Sequence, residues 1–155
     1  MKNEPARSIL ATALCLTLAG SLMAQDNALR DTVTALREGG TQLFAACEEK
    51  HGQCGANFAF APSDCMAKAT AEEARVYVGV AASDDTAIRT LDGWGFELEY
   101  WLPVPGCKSA GVGLRSAGDD GLFAGDSYEA GPFSDDDEGQ DVVWQSGSFL
   151  RWPGQ

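Results

Sequence analysis

Four cysteines, Cys47, Cys54, Cys65 and Cys107, limit this chain more than any other residues. An even number of thiols in an oxidising compartment implies two disulfides, and four cysteines allow three pairings. Cys47–Cys54 with Cys65–Cys107 is expected, because the first two bracket a short polar turn, Glu-Glu-Lys-His-Gly-Gln. Cys54–Cys65 with Cys47–Cys107 is the competing arrangement. The spacings make no Cys-x-x-Cys redox or zinc pattern, and a single histidine is too few for most zinc sites.

The oxidising compartment is read from the first 24 residues, which are expected to be a signal peptide. Lys2 and Arg7 form a positive start, Ile9 to Leu22 is apolar and uncharged, and Ala24 supplies the small residue before cleavage. The fifth cysteine, Cys15, lies inside this run after Leu14, which does not suit lipid attachment. The apolar run is short for a membrane span, and no later stretch reaches that length. Residues 25–155 are expected to be a single exported domain, periplasmic or secreted. That part holds nine Lys and Arg against 22 Asp and Glu, a net charge of −13. Such a surface repels nucleic acid and anionic lipid; it suits a basic protein or cations.

Periodicity supplies the elements. Leu29, Val33 and Leu36 recur at helical spacing over 26–38, and Gly39-Gly40 is expected to end that helix. Strands are predicted at about 41–47 and 54–61, and a turn at Pro62-Ser63-Asp64. Thr70 and Glu73 have capping-box spacing, so a short helix starts there. Val76, Val78 and Val80 favour a strand over 75–82, with a helix as the alternative. Ser83-Asp84-Asp85 can cap a further short helix through Ile88 and Leu91 to Gly93. Phe96 to Leu102 is the clearest strand: Phe96, Leu98, Tyr100 and Leu102 share one face, and Glu97, Glu99 and Trp101 the other. Short strands are expected at 111–116 and 122–124, and a hairpin at 142–152 turning over Ser146-Gly147. The fold class is α+β: a single antiparallel sheet of about five or six strands with one N-terminal helix packed on it, disulfide-stapled.

Three constellations could carry chemistry. The first is the Cys47–Cys54 loop, read as the tip of a hairpin. A bridge across a short loop lowers the ordering cost of binding. His51 can donate or accept a hydrogen bond in a partner's cleft, and Glu48, Glu49 and Lys50 offer charge beside it. The segment QLFAACEEKHGQCGANFAFAP resembles the strand–loop–strand of periplasmic inhibitors of vertebrate-type lysozyme. In that family a loop of Cys-x-x-His-x-Cys type, often followed by Gly, inserts its His into the lysozyme active site. The matching positions are Cys47, His51, Cys54 and Gly55. Six residues separate these cysteines where the family has four, and the family's Lys-Pro is absent. The resemblance implies an inhibitor of a secreted or envelope hydrolase, with a basic lysozyme-type protein as its partner.

The second constellation is Glu97 and Glu99 beside Trp101. Paired carboxylates hydrolyse glycosides and an aromatic face suits a sugar, so the alternative function is a small carbohydrate-processing enzyme. Residues at i and i+2 on a strand stand about 7 Å apart, usually on a solvated face. The third is Asp135, Asp137 and Asp141, whose alternate oxygens around Gly139 could wrap a calcium ion in a structural envelope protein. No other cofactor is expected. No Gly-x-Ser-x-Gly elbow or phosphate-cradling glycine loop is present.

Overall fold

A computed structural model describes residues 7–55 (side chains from 27 onward), 65–107, 111–125, 128–133 and 141–154. Helix α1 (Arg7–His51) leads into strand β1 (Met66–Ala69), helix α2 (Ala71–Val78) and strands β2 (Glu99–Pro103), β3 (Gly113–Ser116), β4 (Gly131–Phe133), β5 (Val142–Gln145) and β6 (Ser148–Pro153). The six strands form one sheet in the order β1-β2-β3-β5-β6-β4. The α+β class holds, but the sheet is mixed. Four pairs are antiparallel, while β4 runs parallel to β6.

Gly39-Gly40 does not end α1, and 41–47 is helix rather than strand. The apolar stripe explains why. Leu36, Leu43 and Cys47 are fully buried, and Gly40 continues their spacing, so one face remains core-facing throughout. Each buried leucine contributes about 1.5–3 kcal/mol, enough to offset two helical glycines at about 1 kcal/mol each. A Cβ at Gly40 would lie 2.6 Å from Cε2 and Cε3 of Trp144 and nearer still to Cδ2. Gly40 is therefore where the helix touches the sheet.

The sheet face beneath α1 carries Tyr100, Leu114, Val142 and Trp144, all buried with Leu36, Leu43 and Ile88 in the main core. The opposite face carries a smaller cluster of Met66, Trp101 and Val143, flanked by Tyr128 and Leu150. The β5–β6 hairpin turns at Ser146-Gly147 as expected, with φ of 41° and 103°.

Within the run 75–82, the structure shows helix through Val78 and a turn after it. Thr70 and Glu73 form the expected capping box: Thr70 Oγ1 accepts from the Glu73 amide, and Glu73 Oε2 accepts from the Thr70 amide at 2.7 Å. Gly79 ends α2 at φ 85°, with the Gly79 and Val80 amides donating to the carbonyls of Val76 and Arg75. Two strong caps decide against the valine alternation. The helix expected after Ser83 is absent, and Arg75 is the reason. Its buried guanidinium takes the Ala82 and Ile88 carbonyls and binds Asp85 and Thr90, so this segment is organised as turns. Residues 122–124 form no strand. Positions 56–61 of the expected second strand, the turn at 62–64, Asp135 and Asp137 lie outside the described residues.

Candidate functional site

Both expected disulfides form. Cys47–Cys54 spans 5.6 Å between Cα atoms and Cys65–Cys107 spans 5.5 Å. The first is not a hairpin clasp. Cys47 lies in the last turns of α1, and the bridge ties that helix end to Cys54, three positions beyond the last helical residue. Both sulfurs belong to the main core, so the staple is anchored inside while residues 48–53 are exposed. Gly52 closes the helix at φ 77°, its amide donating to the Glu48 carbonyl at 2.8 Å.

Within this end the predicted residues separate into two groups. Lys50, though exposed, leans onto α2: its Nζ donates to the Tyr77 carbonyl and lies 4.4 Å from the centroid of that ring. It joins α1 to the end of α2 and is not part of an outward tip. Glu48, Glu49 and His51 are exposed. No hydrogen bond or ion pair holds the Glu48 and Glu49 carboxylates among the described residues. Their place is locally unfavourable, because a helix C-terminus repels negative charge by about 0.3–1 kcal/mol per group.

The second constellation sits in a cleft of about 530 Å³ at the end of the sheet where β1 passes into α2 and the chain enters β2. Lys68, Glu72, Arg75, Glu97, Glu99 and Phe123 contribute to its walls. Glu99 is not on a solvated face as expected: it is 8% exposed, and Trp101 is 6% exposed. Strand register sets Arg115 directly opposite Glu99. Arg115 Nε donates to Glu99 Oε2 at 2.6 Å, and Lys68 Nζ binds Oε1. Both oxygens of Glu99 are therefore engaged by cations. Glu97 is exposed with a free side chain among the described residues. The two carboxylates share a cleft but do not form an acid–nucleophile pair, since one is locked in an ion triad.

Two further carboxylates hold loops in place. Asp92 is buried; its Oδ1 accepts from the amides of Trp94 and Phe96, and its Oδ2 from Ser116 Oγ at 2.6 Å. This sets the turn that feeds β2. Asp141, proposed for calcium, is fully buried. Its Oδ2 accepts from Tyr128 Oη at 2.6 Å and the Ala124 amide at 2.9 Å, while Oδ1 has no partner among the described residues. Burial pushes its carboxyl above the ordinary range, outweighing those two hydrogen bonds and the nearby Arg115. No group of three or more metal-ligating side chains occurs among the described residues.

Arg75, Lys68, Arg115 and Asp92 shape these sites and were not singled out from sequence. Arg115 left a trace: it is a lone cation in the otherwise apolar and small run Gly111 to Gly118. Among the described residues, no helix is long and apolar enough to cross a membrane. Compared with protein-family models, curated proteins and solved structures, the chain matches none.

Proposed function

We propose that this chain is an exported binding protein that presents the stapled end of α1 to a basic partner protein. The observation that supports this reading is the pair of exposed carboxylates Glu48 and Glu49 at a helix C-terminus, without a partner among the described residues. They work against the helix dipole and make no internal bond among the described residues, so neither capping nor ion pairing there accounts for them. The bridge behind them lowers the ordering cost of docking. His51, the last residue of α1, is the anchor that would enter a cleft. The local resemblance makes a secreted or envelope lysozyme-type hydrolase the first partner to test, with the chain acting as its inhibitor in the periplasm or outside the cell.

The test is a pull-down of the protein against muramidases with a lysis assay alongside. His51→Ala should weaken binding by about 1–3 kcal/mol, the range for a lost buried hydrogen bond, without moving the melting temperature. Charge reversal at Glu48 and Glu49 should slow association, and salt should mute that effect. An affinity indifferent to all three changes would remove the helix end from the interface.

A further inference from the structure

The cleft beside α2 holds cationic and anionic groups in unequal states. Arg75 is buried, and its guanidinium is fully engaged by Ile88, Ala82, Asp85 and Thr90. Lys68 is bound to Glu99. No cation in the wall is left without an anion or carbonyl. The carboxylates differ. Glu99 is doubly paired, but Glu72 and Glu97 are exposed and make no side-chain hydrogen bond or ion pair among the described residues. Thr70 and Glu73 form the capping box of α2, and Glu72 stands beside them in the first turn without a hydrogen bond among the described residues. The uncompensated charge of the cleft is negative, in a chain whose net charge is already −12.

The cleft also binds an ammonium group supplied by the chain itself. The Lys68 side chain is 62% exposed, yet its Nζ rests on Glu99, which is 10% exposed. Phe123 adds an aromatic wall whose ring already carries a guanidinium, Arg115, at 4.1 Å. The volume suits an organic group rather than a bare ion.

We propose that this cleft is a binding site for an organic cation, an ammonium or guanidinium group, held by Glu97 and Glu72 beside the Lys68–Glu99 pair. A free polyamine and a Lys or Arg side chain of a basic peptide supply the same chemistry. The site does not depend on the α1 end, which meets the opposite end of α2 through Lys50 and Tyr77.

The test is calorimetric titration of the oxidised full chain with spermidine and, separately, with a triarginine peptide at fixed ionic strength. Glu97→Gln and Glu72→Gln should each weaken binding about two- to five-fold, the range of a partly exposed ion pair. Glu38→Gln makes the same change in net charge at an exposed position of α1 and should leave affinity unchanged. Lys68→Met should tighten binding, because it releases Glu99 Oε1 to the ligand. Saturable binding of spermidine assigns the free amine; tighter binding of the peptide assigns a side chain. Equal weakening by Glu38→Gln would reduce the effect to diffuse charge and overturn the site. So would weaker binding by Lys68→Met with folding intact, or no binding of either probe at millimolar concentration.

Discussion

Gly39 and Gly40 are adjacent, helical and buried, yet alanine should act on them with opposite sign. In a helix interior, Gly→Ala gains about 1 kcal/mol from backbone entropy. At Gly39 the new methyl would meet Ile88 Cδ1 and Leu114 Cδ2, each at 3.6 Å, an ordinary contact that adds packing. Gly39→Ala should stabilise by up to about 1 kcal/mol. At Gly40 the methyl would enter the indole of Trp144, which is 2% exposed and has α1 above it. Either the ring shifts or the helix lifts, and overpacking of a tight core costs about 1–3 kcal/mol. Lifting α1 would also loosen the buried Leu36 and Leu43, so the upper part of that range applies. Net of the entropic gain, Gly40→Ala should destabilise by about 1–2 kcal/mol. Urea unfolding of the oxidised protein, followed by tryptophan fluorescence and by far-UV dichroism, would measure both. Equal stabilisation by the two substitutions would refute the seating of α1 on Trp144. Equal destabilisation of both would instead restore a helix that stops at the glycine pair, where alanine is strained at positive φ.

Removing the bridges should follow loop length: serine at Cys65 and Cys107 should cost about 4 kcal/mol, and serine at Cys47 and Cys54 about 2 kcal/mol, in denaturant titrations. Breaking the buried triad at one partner, Arg115→Met, should cost about 3–5 kcal/mol; adding Glu99→Gln should recover much of it, and a double-mutant cycle that shows plain additivity would argue against their pairing. Asp141 has a raised carboxyl pKa in the folded state, so folding favours its protonated form. The penalty of its buried charge is absent below the unfolded value near 3.8 and is complete once pH exceeds the folded value. The native protein should therefore gain stability relative to Asp141→Asn as pH falls from 7 toward 4; melting curves showing the reverse trend would contradict that environment. Thr70→Ala should cost about 1 kcal/mol through the lost cap, with the loss confined to amide exchange in α2 if that helix opens locally.

What could be read from the residues was local. The Thr70–Glu73 capping box, the strand through Tyr100, the Ser146-Gly147 hairpin and the disulfide bracketing of Cys47 and Cys54 each depend on neighbours within a few positions. The misreadings share one cause. Gly39-Gly40 looks like a stop because the sequence does not display Trp144, a hundred residues on, whose ring needs that space. Val76-x-Val78-x-Val80 looks like a strand because the cap bonds outweigh a propensity worth a fraction of a kcal/mol per residue. The turns after Ser83 depend on one guanidinium reaching across from α2. Glu99 looked solvated because its partners, Lys68 and Arg115, come from strands set beside it only by the sheet order. Of the candidate sites, Glu48, Glu49 and His51 are exposed as read, whereas the cleft around Glu97 gathers residues from four separate segments.

The parallel strand β4 has a consequence for association between copies. Phe133 accepts from the Gly154 amide, so the backbone of Phe133 faces β6 and that of Pro132, one residue earlier, faces away. Proline has no N–H to offer there. The outer rim of β4 therefore presents an acceptor without its donor over a strand of three residues, and an incoming strand finds no ladder to extend. Growth by edge pairing is blocked on that side. The opposite rim is β1, whose lysine is bound to Glu99 and whose start is tethered through Cys65 to Cys107. Reduction of that one bridge would free the start of β1, so the tendency to aggregate should rise with loss of Cys65–Cys107 more than with loss of Cys47–Cys54.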